Sequence, residues 1–138
     1  GSLINRDYKP IEGMTAEIWQ TDMNGVYLHT GSFGSKMRDD QFQGFGRSIT
    51  DQNGYFSFRT IIPAKYPGRT PHIHLKLWDE KVNVLTTQLY LHGHSQNKED
   101  FLFNRMTIAE QKMNSMKLLP AQTNDSTEYT TSVRLVVF

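Results

Sequence analysis

The sequence predicts an all-β fold, and three observations carry that expectation. Turn signals recur at short intervals: Tyr8-Lys9-Pro10, Met23-Asn24-Gly25, Gln52-Asn53-Gly54 and Pro67-Gly68. The segments between them are short and rich in β-branched and aromatic residues. The chain also carries six Tyr and eight Phe, a composition suited to pleated, half-buried surfaces. Many short strands at this spacing point to a β-sandwich or barrel.

Strands are expected near 14–20, 25–30, 46–50, 54–61, 71–78, 84–92 and 131–138. Asp51-Gln52-Asn53-Gly54 reads as a hairpin turn, with Gly54 supplying positive φ. Residues 31–45 are rich in Gly, Ser and charge and read as a loop. Thr107 and Glu110 have capping-box spacing, which predicts one short surface helix over 108–117. Pro120 and the polar stretch 121–130 end it.

The 138 residues suit one domain with a true core. Gly1-Ser2 has the look of a tag remnant. The formal net charge is +1, with both signs interspersed, so nothing points to nucleic acid or an anionic membrane. No apolar run reaches membrane-spanning length. Cysteine is absent, which excludes disulfides, zinc fingers and thiol catalysis but leaves the compartment unassigned.

The chemistry begins with His72-Ile73-His74. On a strand, residues i and i+2 share a face, so two imidazoles would project side by side while Ile73 enters the core. By itself the pair is equally compatible with an exposed polar strand face. Tyr66 sits just upstream in a stretch stiffened by Pro63 and Pro67. As a metal ligand it would have to ionise, and a phenol with a pKa of about 10 does so only beside a strong positive charge. Two phenolates and two imidazoles would neutralise most of a ferric ion's charge, and zinc or copper sites do not usually look like this. Tyr27 follows the Asn24-Gly25 turn and is the natural second phenolate, although local spacing does not demand it. Arg69 is either a surface cation or a fixed positive charge for a developing anion. His92-Gly93-His94 reads as a surface turn. His29 would share a face with Tyr27. Asp22, Asp51, Asp79 and Glu80 read as turn and strand-end residues. A cupin-like facial site for ferrous iron is disfavoured, because Asp79 has the wrong parity and residue 86 is not glycine.

Taken in order, several stretches resemble the intradiol ring-cleavage dioxygenases, especially the protocatechuate 3,4-dioxygenase branch. They include Ala16-Glu17-Ile18-Trp19-Gln20, Gly25-Val26-Tyr27, the run from Thr50 through Asp51-Gln52-Asn53-Gly54 to Ile61, Tyr66-Pro67, Arg69, Pro71-His72-Ile73-His74 and Leu85-Thr86-Thr87-Gln88-Leu89-Tyr90. The resemblance spans roughly residues 10 to 92. It implies a prealbumin-like β-sandwich with mixed or antiparallel sheets and long loops, forming a single catalytic domain over 1–138. It implies a non-haem Fe(3+) held by Tyr27, Tyr66, His72 and His74. By the same match Arg69 is the arginine beside the metal, Gln88 a glutamine near the substrate and Trp19 an aromatic lining the pocket. Tyr66 would be the ligand that yields to substrate. The implied reaction uses O2 to cleave a catechol-type diol to a cis,cis-muconate-type product. The rival reading is a non-catalytic prealbumin-like binding module.

Two departures from the family pattern stand out. Only Pro67-Gly68 separates Tyr66 from Arg69, where family members carry a longer insert. That wall of the pocket is expected to be missing or supplied by another chain, so a homo-oligomer is compatible. The helical dimerisation region of the catechol branch has no counterpart in the sequence.

Overall fold

The protein is described by a computed structural model covering residues 1–27 and 38–138. Its centre is a five-stranded sheet of order β3-β2-β4-β5-β6. These strands are β2 (Thr15–Trp19), β3 (Phe45–Ile49), β4 (His72–Asp79), β5 (Val82–Leu91) and β6 (Ser115–Met116). A parallel pair joins β1 (Ser2–Ile4) to β9 (Arg134–Val136), and a small antiparallel pair joins β7 (Leu119–Pro120) to β8 (Tyr129–Thr130). Among the described residues one α-helix, α1 (Ile108–Met113), lies between β5 and β6, after 3-10 turns at Ser95–Glu99 and Phe103–Arg105. The expected all-β class therefore holds. Among the described residues, no helix is long and apolar enough to cross a membrane.

β4 shows why the sheet is two-faced. Ile73, Leu75 and Leu77 are 0–6% exposed, and they alternate with His72, His74 and Lys76 on the opposite face. The inward face meets Ala16, Ile18 and Leu89 from neighbouring strands, and Leu3, Phe56, Leu135 and Val137 from the β1/β9 side. Each fully buried leucine contributes about 1.5–3 kcal/mol. That inward core fixes the register and leaves the other face for chemistry.

Several expectations need correction. Residues 25–27 form no strand; the rest of the 25–30 expectation, together with His29 and residues 31–37 of the 31–45 loop, lies outside the described residues. Residues 54–61 make only one bridge, Tyr55 to Ser2. At the end of this stretch the Gln20 side chain accepts from Thr60 Oγ1 and donates to the Ile61 carbonyl. The last strand is only Arg134–Val136 and pairs in parallel with β1. The capping box of Thr107 and Glu110 is present, but the helix stops at Met113, because Ser115 and Met116 pair with Tyr90 and Leu91 of β5. Gly1 and Ser2 are ordered in the fold: Ser2 lies in β1, and the Gly1 amine donates to the Phe56 carbonyl at 2.7 Å.

Candidate metal centre

Register places the site residues before any side chain is considered. Trp19 of β2 and Gln88 of β5 both pair with His74 of β4, and Tyr90 pairs with His72. All five lie on the outward face at one end of the sheet. The Trp19 ring stacks flat on the His74 imidazole, with centroids 4.7 Å apart and planes 2° apart.

The tyrosines arrive from loops. Residues 20–25 run along residues 60–66: Gln20 donates to Ile61 O and Thr21 donates to Ala64 O. The buried Asp22 carboxylate accepts from the N–H groups of Asn24 and Val26 through Oδ1, and from Asp39 through Oδ2. Gly25, at φ 78°, closes this turn against the Tyr66 segment. A Cβ there would lie 2.9 Å from the Lys65 carbonyl oxygen, so only glycine permits the approach. Tyr27 is thereby delivered beside Tyr66, with the rings edge to face at 5.5 Å.

Four donor atoms converge. Tyr27 Oη lies 3.3 Å from Tyr66 Oη, 3.3 Å from His72 Nε2 and 2.9 Å from His74 Nε2. His72 Nε2 stands 3.2 Å from His74 Nε2 and 3.5 Å from Tyr66 Oη. Ligands bonded to one ion at about 2.0–2.1 Å stand about 2.8–3.4 Å apart at angles of about 90–110°, so this donor set fits a single metal ion. His72 is pre-set for it. Its Nδ1–H donates to the Thr70 carbonyl at 2.7 Å, which leaves a lone pair on Nε2 aimed into the cluster. Among the described residues, no group of three or more His, Cys, Asp or Glu could hold a metal. Any ion here depends on the phenols.

The electrostatics agree with that dependence. Burial pushes the Tyr27 hydroxyl well above the usual phenol range, and its hydrogen bond with Tyr66 adds to the rise. Burial lowers His72, and it lowers His74 to about 4, with the neighbouring His72 and Arg69 adding to the effect. The imidazoles are therefore neutral and ready to bind a cation, while Tyr27 yields its proton only to a strong one.

Arg69 borders the cluster. Pro67 and Gly68, the latter at φ 81°, form a tight turn in which Arg69 N–H donates to the Tyr66 carbonyl at 3.0 Å. The guanidinium then donates to Tyr66 Oη through Nη1 at 3.3 Å and to Gln88 Oε1 through Nη2. Its Nε donates to Asp100 Oδ2 at 2.8 Å. Gln88 Oε1 also accepts from Tyr90 Oη at 2.9 Å, and its Nε2 faces His74 Nδ1 at 3.4 Å. Every residue expected at the site is thus gathered at one place.

Asp100, Thr70 and Tyr90 were not anticipated at the site. The only sequence signal for Asp100 was an acidic residue just before a helical turn, a common capping position. His92 and His94 belong to a turn, as expected. His92 is exposed, and His94 caps a 3-10 turn by accepting from Gln96 N–H at 3.3 Å. Asp22 and Asp51 serve turns, also as expected.

The chain was compared with known proteins. A family model described as Dioxygenase matches residues 1–136. The protocatechuate 3,4-dioxygenase beta chain of Burkholderia cepacia is 34% identical over 101 residues, covering 67% of this chain and 43% of that protein. Catechol 1,2-dioxygenase of Acinetobacter baylyi is 30% identical over 122 residues, covering 75% and 38%. The chain thus spans less than half the length of these two relatives. Among solved structures, an intradiol ring-cleavage dioxygenase from Tetranychus urticae superposes with a TM-score of 0.79 at 25% identity, over 99% of this chain and 77% of that one. The dioxygenase domain of a dioxygenase carbohydrate-binding protein fusion from Streptomyces sp. SirexAA-E gives 0.75 at 33% identity, over 99% and 75%. A cluster in which sheet register places two histidines and neighbouring loops bring up two tyrosines and an arginine therefore coincides with sequence and fold likeness over nearly the whole chain, and the chain belongs to the intradiol ring-cleavage dioxygenase family.

Proposed function

We propose that this domain is an Fe(3+)-dependent, non-haem intradiol dioxygenase that cleaves a catechol-type diol with O2. The observation that carries the proposal is the convergence of Tyr27, Tyr66, His72 and His74 on one point. The high pKa of the buried Tyr27 hydroxyl favours a trivalent ion, the kind of charge that displaces a phenolic proton. When bound, ferric iron would supply Lewis acidity toward a catecholate and a template for both of its oxygens.

The remaining steps belong to the chain's own residues. Tyr66 Oη, already a hydrogen-bond partner of Arg69, is suited to take up a proton from the incoming diol. Arg69 holds fixed positive charge beside the ring and stabilises negative charge developing on it. Gln88 is held by Arg69 and Tyr90 and presents its amide next to His74. Trp19 holds the His74 ring and lines that side of the site. In the finer architecture, the β1/β9 layer is read as the second face of a β-sandwich.

The test is to load metal-free protein with ferric iron, record its visible spectrum, and measure oxygen uptake over a panel of substituted catechols. A red-brown charge-transfer band and uptake with at least one catechol are expected, and Tyr66→Phe should weaken or shift the band. A colourless iron-loaded protein would remove the ferric-phenolate site. A coloured protein inert toward every catechol would point to a binding module instead.

A further inference from the structure

We propose that Asp100 is a positioning residue, whose carboxylate aims the Arg69 guanidinium and locks the backbone that orients His72. This inference rests on the dioxygenase reading above.

Asp100 is fully buried, and both of its oxygens are engaged. Oδ2 accepts from Arg69 Nε at 2.8 Å and from Thr70 N–H at 3.1 Å. Oδ1 accepts from the N–H groups of Leu102 and Phe103, each at 3.0 Å. Burial alone would raise this carboxyl, but Arg69 and the backbone donors hold it below its ordinary value, so it stays ionised. The other salt bridges among the described residues have at least one well-exposed partner. Here Arg69 is 12% exposed and Asp100 0%. A bond through Nε fixes the plane of a guanidinium, because Nε is the hinge atom of the fork. With Nε held, Nη1 points at Tyr66 and Nη2 at Gln88.

The second arm runs through Thr70. Its N–H goes to Asp100, its Oγ1 donates to Asn97 Oδ1 at 2.7 Å, and its carbonyl accepts the His72 Nδ1 proton. Thr70 is pinned at three points, and the tautomer of His72 depends on where its carbonyl sits. One carboxylate on the 95–106 segment therefore ties that segment to both the cation and a metal-facing histidine. Nothing in the sequence near Tyr66, Arg69 or His72 announces it.

The test uses Asp100→Asn, Arg69→Lys and Arg69→Gln in the iron-loaded chain, with the metal-free chain as a second arm. Asp100→Asn should retain iron and its visible band while kcat falls about tenfold or more with KM within about threefold. In the Arg69→Gln background, Asp100→Asn should cost clearly less than in the parent, because the aimed group is gone and only the Thr70 arm remains. Arg69→Lys keeps the charge but cannot bond Asp100, Tyr66 and Gln88 together, so kcat should fall similarly. In the metal-free protein, the Arg69 Nε proton should exchange slowly, and Asp100→Asn should abolish that protection. Near-parental kcat in Asp100→Asn, or multiplicative losses in the double variant, would overturn the inference. So would near-parental kcat in Arg69→Lys, which decides the matter even if Asp100→Asn does not fold. A parent protein inert toward all catechols would instead remove the dioxygenase reading, and the exchange measurement would still test the Asp100–Arg69 contact.

Discussion

The Tyr66 hydroxyl and the Arg69 guanidinium meet at 3.3 Å across a turn whose two central residues are Pro67 and Gly68. The turn is short because the chain reverses within four residues, and it reverses because Gly68 adopts φ 81°. Pro67-Gly68 thus brings a phenol and a cation face to face.

Gly68→Ala should destabilise the protein by about 1–2 kcal/mol, the cost of holding an L-residue in the left-handed region. A Cβ at this position meets no atom within 4 Å, so the effect is purely conformational. Gly68→Asn should be milder. Urea unfolding of both variants checks this, and equal midpoints for parent and alanine variant would contradict it.

Trp19→Ala removes the ring stacked on His74 and leaves one side of that imidazole unsupported. Iron affinity should fall about tenfold, the scale seen when a ligand loses its outer support. Trp19→Phe should recover most of it. Competition with a chelator measures the loss, and unchanged iron retention in the alanine variant would show that His74 orients without Trp19.

Asp22→Ala strands the N–H groups of Asn24, Val26 and Asp39 at a site where Asp22 is 1% exposed. Stability should drop by about 1–3 kcal/mol, chiefly the cost of leaving the buried Val26 N–H without its acceptor. Iron binding should weaken too, since this turn delivers Tyr27. Thermal melting and iron titration separate the two effects.

Acid should weaken the metal-free protein earlier than its carboxylates alone would dictate. His72 and His74 face Tyr27, Tyr66 and Arg69, and burial depresses both histidines, His74 to about 4. In the unfolded chain each takes a proton near about 6.5. Between these values the unfolded state binds more protons, so stability is full above about 6.5 and declines as pH falls toward about 4. Denaturant midpoints at several pH values should show that decline, and His74→Gln should flatten it. A midpoint constant over this window would refute the buried-neutral reading.

Much of this was legible in the sequence. Alternation in β4 separated His72 and His74 from Ile73, Leu75 and Leu77, because a strand has a period of two and one face must be buried. Turn residues marked Gly25, Gly54 and Gly68, since glycine is the residue that takes positive φ without strain. Thr107 and Glu110 announced a helix start through a local hydrogen-bond pattern. What only the tertiary structure decided was non-local. Tyr27 meets Tyr66 because Gln20, Thr21 and Gly25 lie along residues 60–66, and no spacing in the chain encodes that approach. Residues 54–61, which read as a strand, make one bridge, Tyr55 to Ser2, and at their end a glutamine side chain meets the Thr60 hydroxyl and the Ile61 carbonyl. Asp100 reaches Arg69 across 31 residues through a buried contact that a sequence cannot display. Periodicity writes which face a residue occupies; which residues then meet on that face is set by sheet register and loop packing.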